Sequence, residues 1–160
     1  MPFILCIFAG IGIIPANAQE MPPRPFSVRV STAQHLQFGS FIQVGDYGTV
    51  TVDYSGTRSA TGNVILPNIS SSQFPTPALF IVDAEPGTLI RIQNVPDVYL
   101  TGSHGGTMKL TIGESSTRSP FVTIGQYTNV FIGGTLEVKT LTDNPPGSYS
   151  GTFLVTFIQE

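Results

Sequence analysis

The chain has 160 residues, with ten acidic and seven basic side chains and a formal net charge of −3. Charged residues make up only 11% of it, against about 25% in an average globular domain, and their scatter offers no basic patch to neutralise phosphates, which excludes nucleic acid as a partner. The single cysteine excludes a disulfide framework and a thiolate zinc centre built within one chain.

The first segment has a composition of its own. Residues 3–14 are apolar and uncharged, and Pro15, Ala16, Asn17 and Ala18 provide a small-residue cleavage site before Gln19, the pattern of an export signal. A bilayer-spanning helix needs about 20 apolar residues, and this run is shorter. The expectation is therefore a signal peptide over 1–18, a single domain over 19–160 and no permanent membrane anchor after signal removal. The lack of Lys or Arg ahead of the apolar run departs from the usual signal. Cys6 falls inside the removable segment, so the mature chain must fold without staples, around a core that buries roughly two thirds of the unfolded surface.

A proline-rich leader over 22–25 precedes an alternating strand in which Phe26, Val28 and Val30 share a face. Residues 36–42 form the next apolar segment. Val50 and Val52 alternate with Thr51 and Asp53 in a strand over 49–54, closed by Ser55, Gly56 and Thr57. Strands follow over 62–66 and 78–84, and the next, 88–93, is expected to pair back on 78–84 across the turn at Glu85, Pro86 and Gly87. A short strand over 98–101 leads into a glycine loop, 102–106, and then into 107–112, where Met108, Leu110 and Ile112 line one face.

Strands over 121–124, 127–132 and 135–140 come next. Gly133 and Gly134 read as the hairpin turn between the last two, because both positions tolerate positive φ. The final strand, 149–158, places Phe153, Val155 and Phe157 on its core face and Leu154 and Ile158 on the other. Gly48, Gly106 and Gly134 each stand before a Thr and an alternating run; their irregular spacing reads as one way of starting a strand, not as a repeat. About ten short strands with no helical periodicity predict an all-β fold, an antiparallel sandwich or barrel.

Candidate chemistry is sparse. His35, between Gln34 and Leu36, reads as a strand-edge residue, and His104 in its glycine loop as a turn residue able to shape a ligand site. Asp46, Asp53, Asp83, Glu85, Asp97, Glu114, Glu137 and Asp143 are spread over many turns and strands. Two facing carboxylates would suffice for a glycosidase, but the chain has no tryptophan to serve as a sugar platform, and its Phe and Tyr residues stand mostly at core-facing positions. No catalytic, cofactor-binding or metal-ligating residue is assigned, no cofactor is expected, and the protein is read as not an enzyme.

Taken together, several phrases resemble a known bacterial family. These are Phe38-Gly39, the run from Gly48 through Arg58 to Gly62, Gly105-Gly106-Thr107-Met108, the Gly133-Gly134-Thr135-Leu136 phrase and the closing Gly147-Ser148-Tyr149-Ser150-Gly151-Thr152-Phe153. In order and over nearly the whole mature chain they are similar to the family of domain of unknown function 4402. The resemblance implies an exported envelope protein with an immunoglobulin-like or pilin-like β-sandwich and no transferable catalytic residue. The chain departs from the family pattern at Asp143-Asn144-Pro145-Pro146 and at its last residues, 157–160.

Together these readings predict a secreted, cell-surface or periplasmic structural protein, a fimbria-like or envelope assembly subunit. It would associate with itself or with envelope partners, through an N-terminal strand added to a neighbour's sheet or as a self-complete sandwich. The alternative is an independent adhesin or ligand-binding module using the loops around 99–106.

Overall fold

The computed structural model describes residues 27–30, 34–67 and 74–160; the expected signal peptide over 1–18, the proline-rich leader and Phe26 lie outside them. The described residues form an antiparallel β-sandwich of eleven strands: β1 (Ser27–Val30), β2 (Ile42–Val52), β3 (Arg58–Ile65), β4 (Ala78–Asp83), β5 (Leu89–Ile92), β6 (Val98–Gly102), β7 (Thr107–Ser115), β8 (Phe121–Val122), β9 (Tyr127–Val138), β10 (Tyr149–Ser150) and β11 (Phe157–Gln159). An eight-stranded sheet faces a three-stranded one ordered β11-β5-β8.

The large sheet is organised around β9. β7 runs along one of its edges, with Leu110 opposite Leu136 and Ser115 opposite Ile132. The other edge is shared end to end. β2 pairs with its second half, Val52 opposite Gly134 and Gly48 opposite Val138, and β4 pairs with its first half, Ala78 opposite Ile132 and Asp83 opposite Tyr127. The sheet therefore forks at Gly133. There β2 turns away so closely that a Cβ on Gly133 would run into the Val52 carbonyl and lie 2.8 Å from Asp53 Cα.

Gly133 and Gly134 are thus not the expected hairpin turn. They sit buried inside one twelve-residue strand, and the demand on them is close approach, not positive φ. Gly48 likewise lies within β2, so only the Gly106 phrase stands just ahead of a strand.

Alternation along β9 buries Val130, Ile132, Leu136 and Val138 on one face. Two buried clusters result. One gathers Val50, Val52, Leu100, Met108, Leu110, Leu136, Val138 and Phe38; the other gathers Phe80, Val82, Ile90, Phe121, Val130, Ile132 and Phe157. Leu36, Ile112 and Phe153 pack against both and join them. Each fully buried aliphatic or aromatic side chain contributes about 1.5–3 kcal/mol.

Two further expectations are corrected. β5 does not pair with β4; its partners are β8 and β11, because the Glu85-Pro86-Gly87 turn carries the chain from one sheet to the other. Along the apolar segment 36–42, Gln37 bridges to Thr76 and β2 starts at Ile42. The long final strand is two short ones, β10 on β6 in the large sheet and β11 on β5 in the small one. Between them the chain crosses sheets and still keeps its alternation, with Phe153 and Val155 half-buried, Phe157 buried and Leu154 80% exposed. β1 pairs with β4 of its own chain, Ser27 opposite Asp83 and Val30 opposite Phe80.

Candidate functional site

Over the β9, β7 and β6 half of the large sheet lie two largely irregular segments, 36–43, which runs into β2 at Ile42, and 145–153, which includes the short β10. They form no ladder with each other. Between them lies a groove of about 690 Å³, inside the roughly 300–1,000 Å³ range of ligand sites. Its floor is Leu100, Met108, Leu110 and Leu136, and Phe41, Tyr149 and Phe153 stand on its walls. No Asp, Glu, Lys, Arg or His lines it; its polar groups are amides and hydroxyls, such as Gln37, Gln43 and Ser150.

Each lip is held from outside. On the first, Gln37 and Thr76 exchange backbone hydrogen bonds of 2.8 and 2.9 Å, the Thr76 hydroxyl donates to the His35 carbonyl at 2.6 Å, and Arg58 Nη2 donates to the Ser40 carbonyl at 2.6 Å. Burial lowers the Arg58 pKa, and its Nε is buried with no hydrogen-bond partner.

On the second lip, Ser103 N–H donates to the Ser148 carbonyl at 2.9 Å and Ser148 N–H to Ser103 Oγ at 3.1 Å. The Tyr149 hydroxyl donates to the Pro145 carbonyl at 2.7 Å, and burial raises its pKa, so it remains a donor. Asn144, only 2% exposed, accepts from Lys139 N–H at 2.5 Å and donates to the Thr107 carbonyl at 2.6 Å. It pins the 140–145 turn to the start of β7. As part of a departure from the family pattern it read as a turn residue, and nothing local marked it as a buried bracket.

The candidate catalytic groups do not converge. His35 is exposed. His104 Nδ1 lies 3.0 Å from the Pro146 carbonyl, which can only accept, so that nitrogen carries the proton and cannot serve as base toward Ser103 Oγ at 3.3 Å. Asp53 closes its own turn, accepting from Ser55 Oγ at 2.6 Å and from the amides of Ser55 and Thr57; the Ser55 hydroxyl is the main reason its pKa is lowered. Asp97 pairs with Lys109 at 2.7 Å. Among the described residues, no three His, Cys, Asp or Glu side chains are grouped to hold a metal ion, and no helix is long and apolar enough to cross a membrane. A second cleft, of about 660 Å³, lies between 92–95 and 112–119 and carries Glu114 and Arg118 on its wall.

The class defined by these features is an antiparallel β-sandwich carrying an extended apolar groove lined by no charged side chain. The chain belongs to the family named domain of unknown function (DUF4402), whose profile matches residues 28–158. No curated protein and no solved structure matches it.

Proposed function

We propose that the protein is an exported, non-catalytic structural subunit of a fimbria-like or envelope assembly, working at the cell surface, in the periplasm or outside the cell. The observation that carries this reading is the uncharged groove, an open seam in the sandwich. Apolar recesses bounded by unladdered segments are what a second polypeptide covers when β-proteins associate. The low charge content, the export-type segment over 1–18 and the scatter of the carboxylates support the same reading. Negative-stain microscopy of the purified mature protein and of the native cell surface tests it. Ordered assemblies containing the protein are expected; a strictly monomeric protein absent from every surface assembly overturns the reading.

A second reading, an independent adhesin, is favoured by Tyr99, 63% exposed on β6 next to the 102–106 loop that Ser148 and Pro146 hold in place. A glycan and matrix-protein array tests that surface: signal lost in Tyr99→Ala supports it, and no signal above background removes it.

A further inference from the structure

We propose that the groove is filled by the leader, residues 19–26, of a second copy of this chain, laid in as a polyproline-type segment so that copies join head to tail. The proposal rests on the assembly reading and names the partner of its groove.

The chemistry of groove and leader match. Proline-rich segments dock in aromatic-lined grooves because their extended helix is preformed and loses little entropy on binding. Here the walls offer Phe41, Tyr149, Phe153 and Pro145, with the amide of Gln37 as a hydrogen-bonding group. The leader reads Met21-Pro22-Pro23-Arg24-Pro25-Phe26. At about three residues per turn, Pro22 and Pro25 fall on one face and Arg24 turns away from it, as a groove without charges requires. Three prolines without N–H groups also prevent the leader from extending the β1 ladder along β4.

Geometry decides which copy supplies it. The leader joins the fold at Ser27, which stands opposite Asp83, itself opposite Tyr127 at the beginning of β9. The groove floor lies at the other end of that strand, at Leu136. The rise from residue 127 to residue 136 is about 30 Å at roughly 3.3 Å per residue. Residues 19–26, fully stretched, reach about 28 Å, so they are used up before drawing level with their own groove. A copy stacked on that end presents its groove within reach. A contact between two different patches that repeats without closing builds a filament.

Cysteine trapping tests this directly, because Cys6 is the only native cysteine and Cys6→Ser supplies a thiol-free full chain. In that background Pro23→Cys and Ser150→Cys are made separately, purified, mixed and mildly oxidised, with Gln37→Cys as a second groove position on the opposite lip. A disulfide-linked dimer containing one chain of each kind is expected, at least tenfold more abundant than with Ser59→Cys on the exposed face of β3, and suppressed by excess free peptide of sequence 19–26. Equal yields at positions 150, 37 and 59 overturn the proposal. Surface assemblies without the leader-to-groove link refute the leader as occupant and leave the assembly reading standing; absence of both refutes both.

Discussion

The ring of Phe80 in β4 meets that of Phe157 in β11 with centroids 5.7 Å apart and planes tilted by 52°, so one aromatic pair ties the small sheet to the large one. Phe153 approaches the same Phe80 ring edge-on at 6.4 Å. Truncating a buried Phe costs about 3–5 kcal/mol, so Phe157→Ala should lower the melting midpoint by on the order of 10 °C. Leu154→Ala, at a position 80% exposed, should stay within about 0.5 kcal/mol of wild type. Thermal melts of the two variants check the contrast, and equal losses would contradict the assigned faces.

The fork at Gly133 gives a second expectation. A methyl group there drives into the β2 backbone as it leaves the sheet, and backbone cannot rotate aside as a side-chain tip can. Gly133→Ala should cost about 1–3 kcal/mol, the range for overpacking a filled interior. Gly125, where an added Cβ meets nothing within 4 Å, is the control, and Gly125→Ala should be neutral or slightly stabilising. Urea denaturation separates the two.

Periodicity made the core legible, and composition did not reveal the connections. Val50, Val52, Met108, Leu110 and Phe157 fall on the faces their alternation assigns, because a two-residue period is a local property of an extended chain. Pairing is not local. The turn before β5 looks the same whether it folds back within a sheet or crosses to another, and paired glycines serve a hairpin and a close strand crossing equally well. The groove was illegible for a related reason: it is the space between two largely irregular segments, 36–43 and 145–153, brought together only by the sheet beneath them. Asn144 stayed hidden because its partners, Lys139 and Thr107, lie 5 and 37 residues away.

Asn144 therefore carries the third expectation. Asn144→Leu keeps the bulk but leaves the Lys139 N–H and the Thr107 carbonyl without their partners, and a buried polar group left unsatisfied costs about 1–3 kcal/mol. A loss at the upper end is expected, with faster amide exchange at 139–145. Unchanged exchange there would show that the turn is held by something else.

Acid should weaken the fold through two carboxylates. The Asp53 pKa is lowered chiefly by the Ser55 hydroxyl, and that of Asp97 chiefly by its hydrogen bond to Lys109. Because the folded values lie below the unfolded ones, their stabilisation is complete above about pH 4 and is lost as pH falls through the folded pKa. The Lys109 pKa is raised, mainly by the same bond to Asp97, so its contribution fades only as pH rises through that elevated value. Melting midpoints taken from pH 6 down to pH 2 should fall less steeply in Asp53→Asn than in wild type. An identical slope would remove Asp53 from the acid response.

Arg58 links the stability of the fold to the shape of the groove. Its Nη2 holds the Ser40 carbonyl at 2.6 Å, while its buried Nε makes no hydrogen bond. The residue thus gains one charge-assisted bond, worth about 1.5–3 kcal/mol, and offsets part of it by desolvating a donor that nothing accepts. Arg58→Met removes the clamp and the unsatisfied donor together and retains most of the apolar stem. Global stability should change by about 1 kcal/mol or less, because the two effects oppose each other, whereas the lip ahead of β2, residues 36–41, loses its Arg58 clamp and should exchange its amides severalfold faster. Arg58→Lys keeps the charge but not the planar fork, and should restore the protection only in part. Hydrogen exchange resolved by residue, read beside the melting curve, distinguishes this from a purely structural arginine, which would lower the global midpoint and leave the lip no more exposed than the rest of the sandwich. If exchange at 36–41 is unchanged in Arg58→Met, the first lip is held without Arg58, and Arg58 does not set the groove.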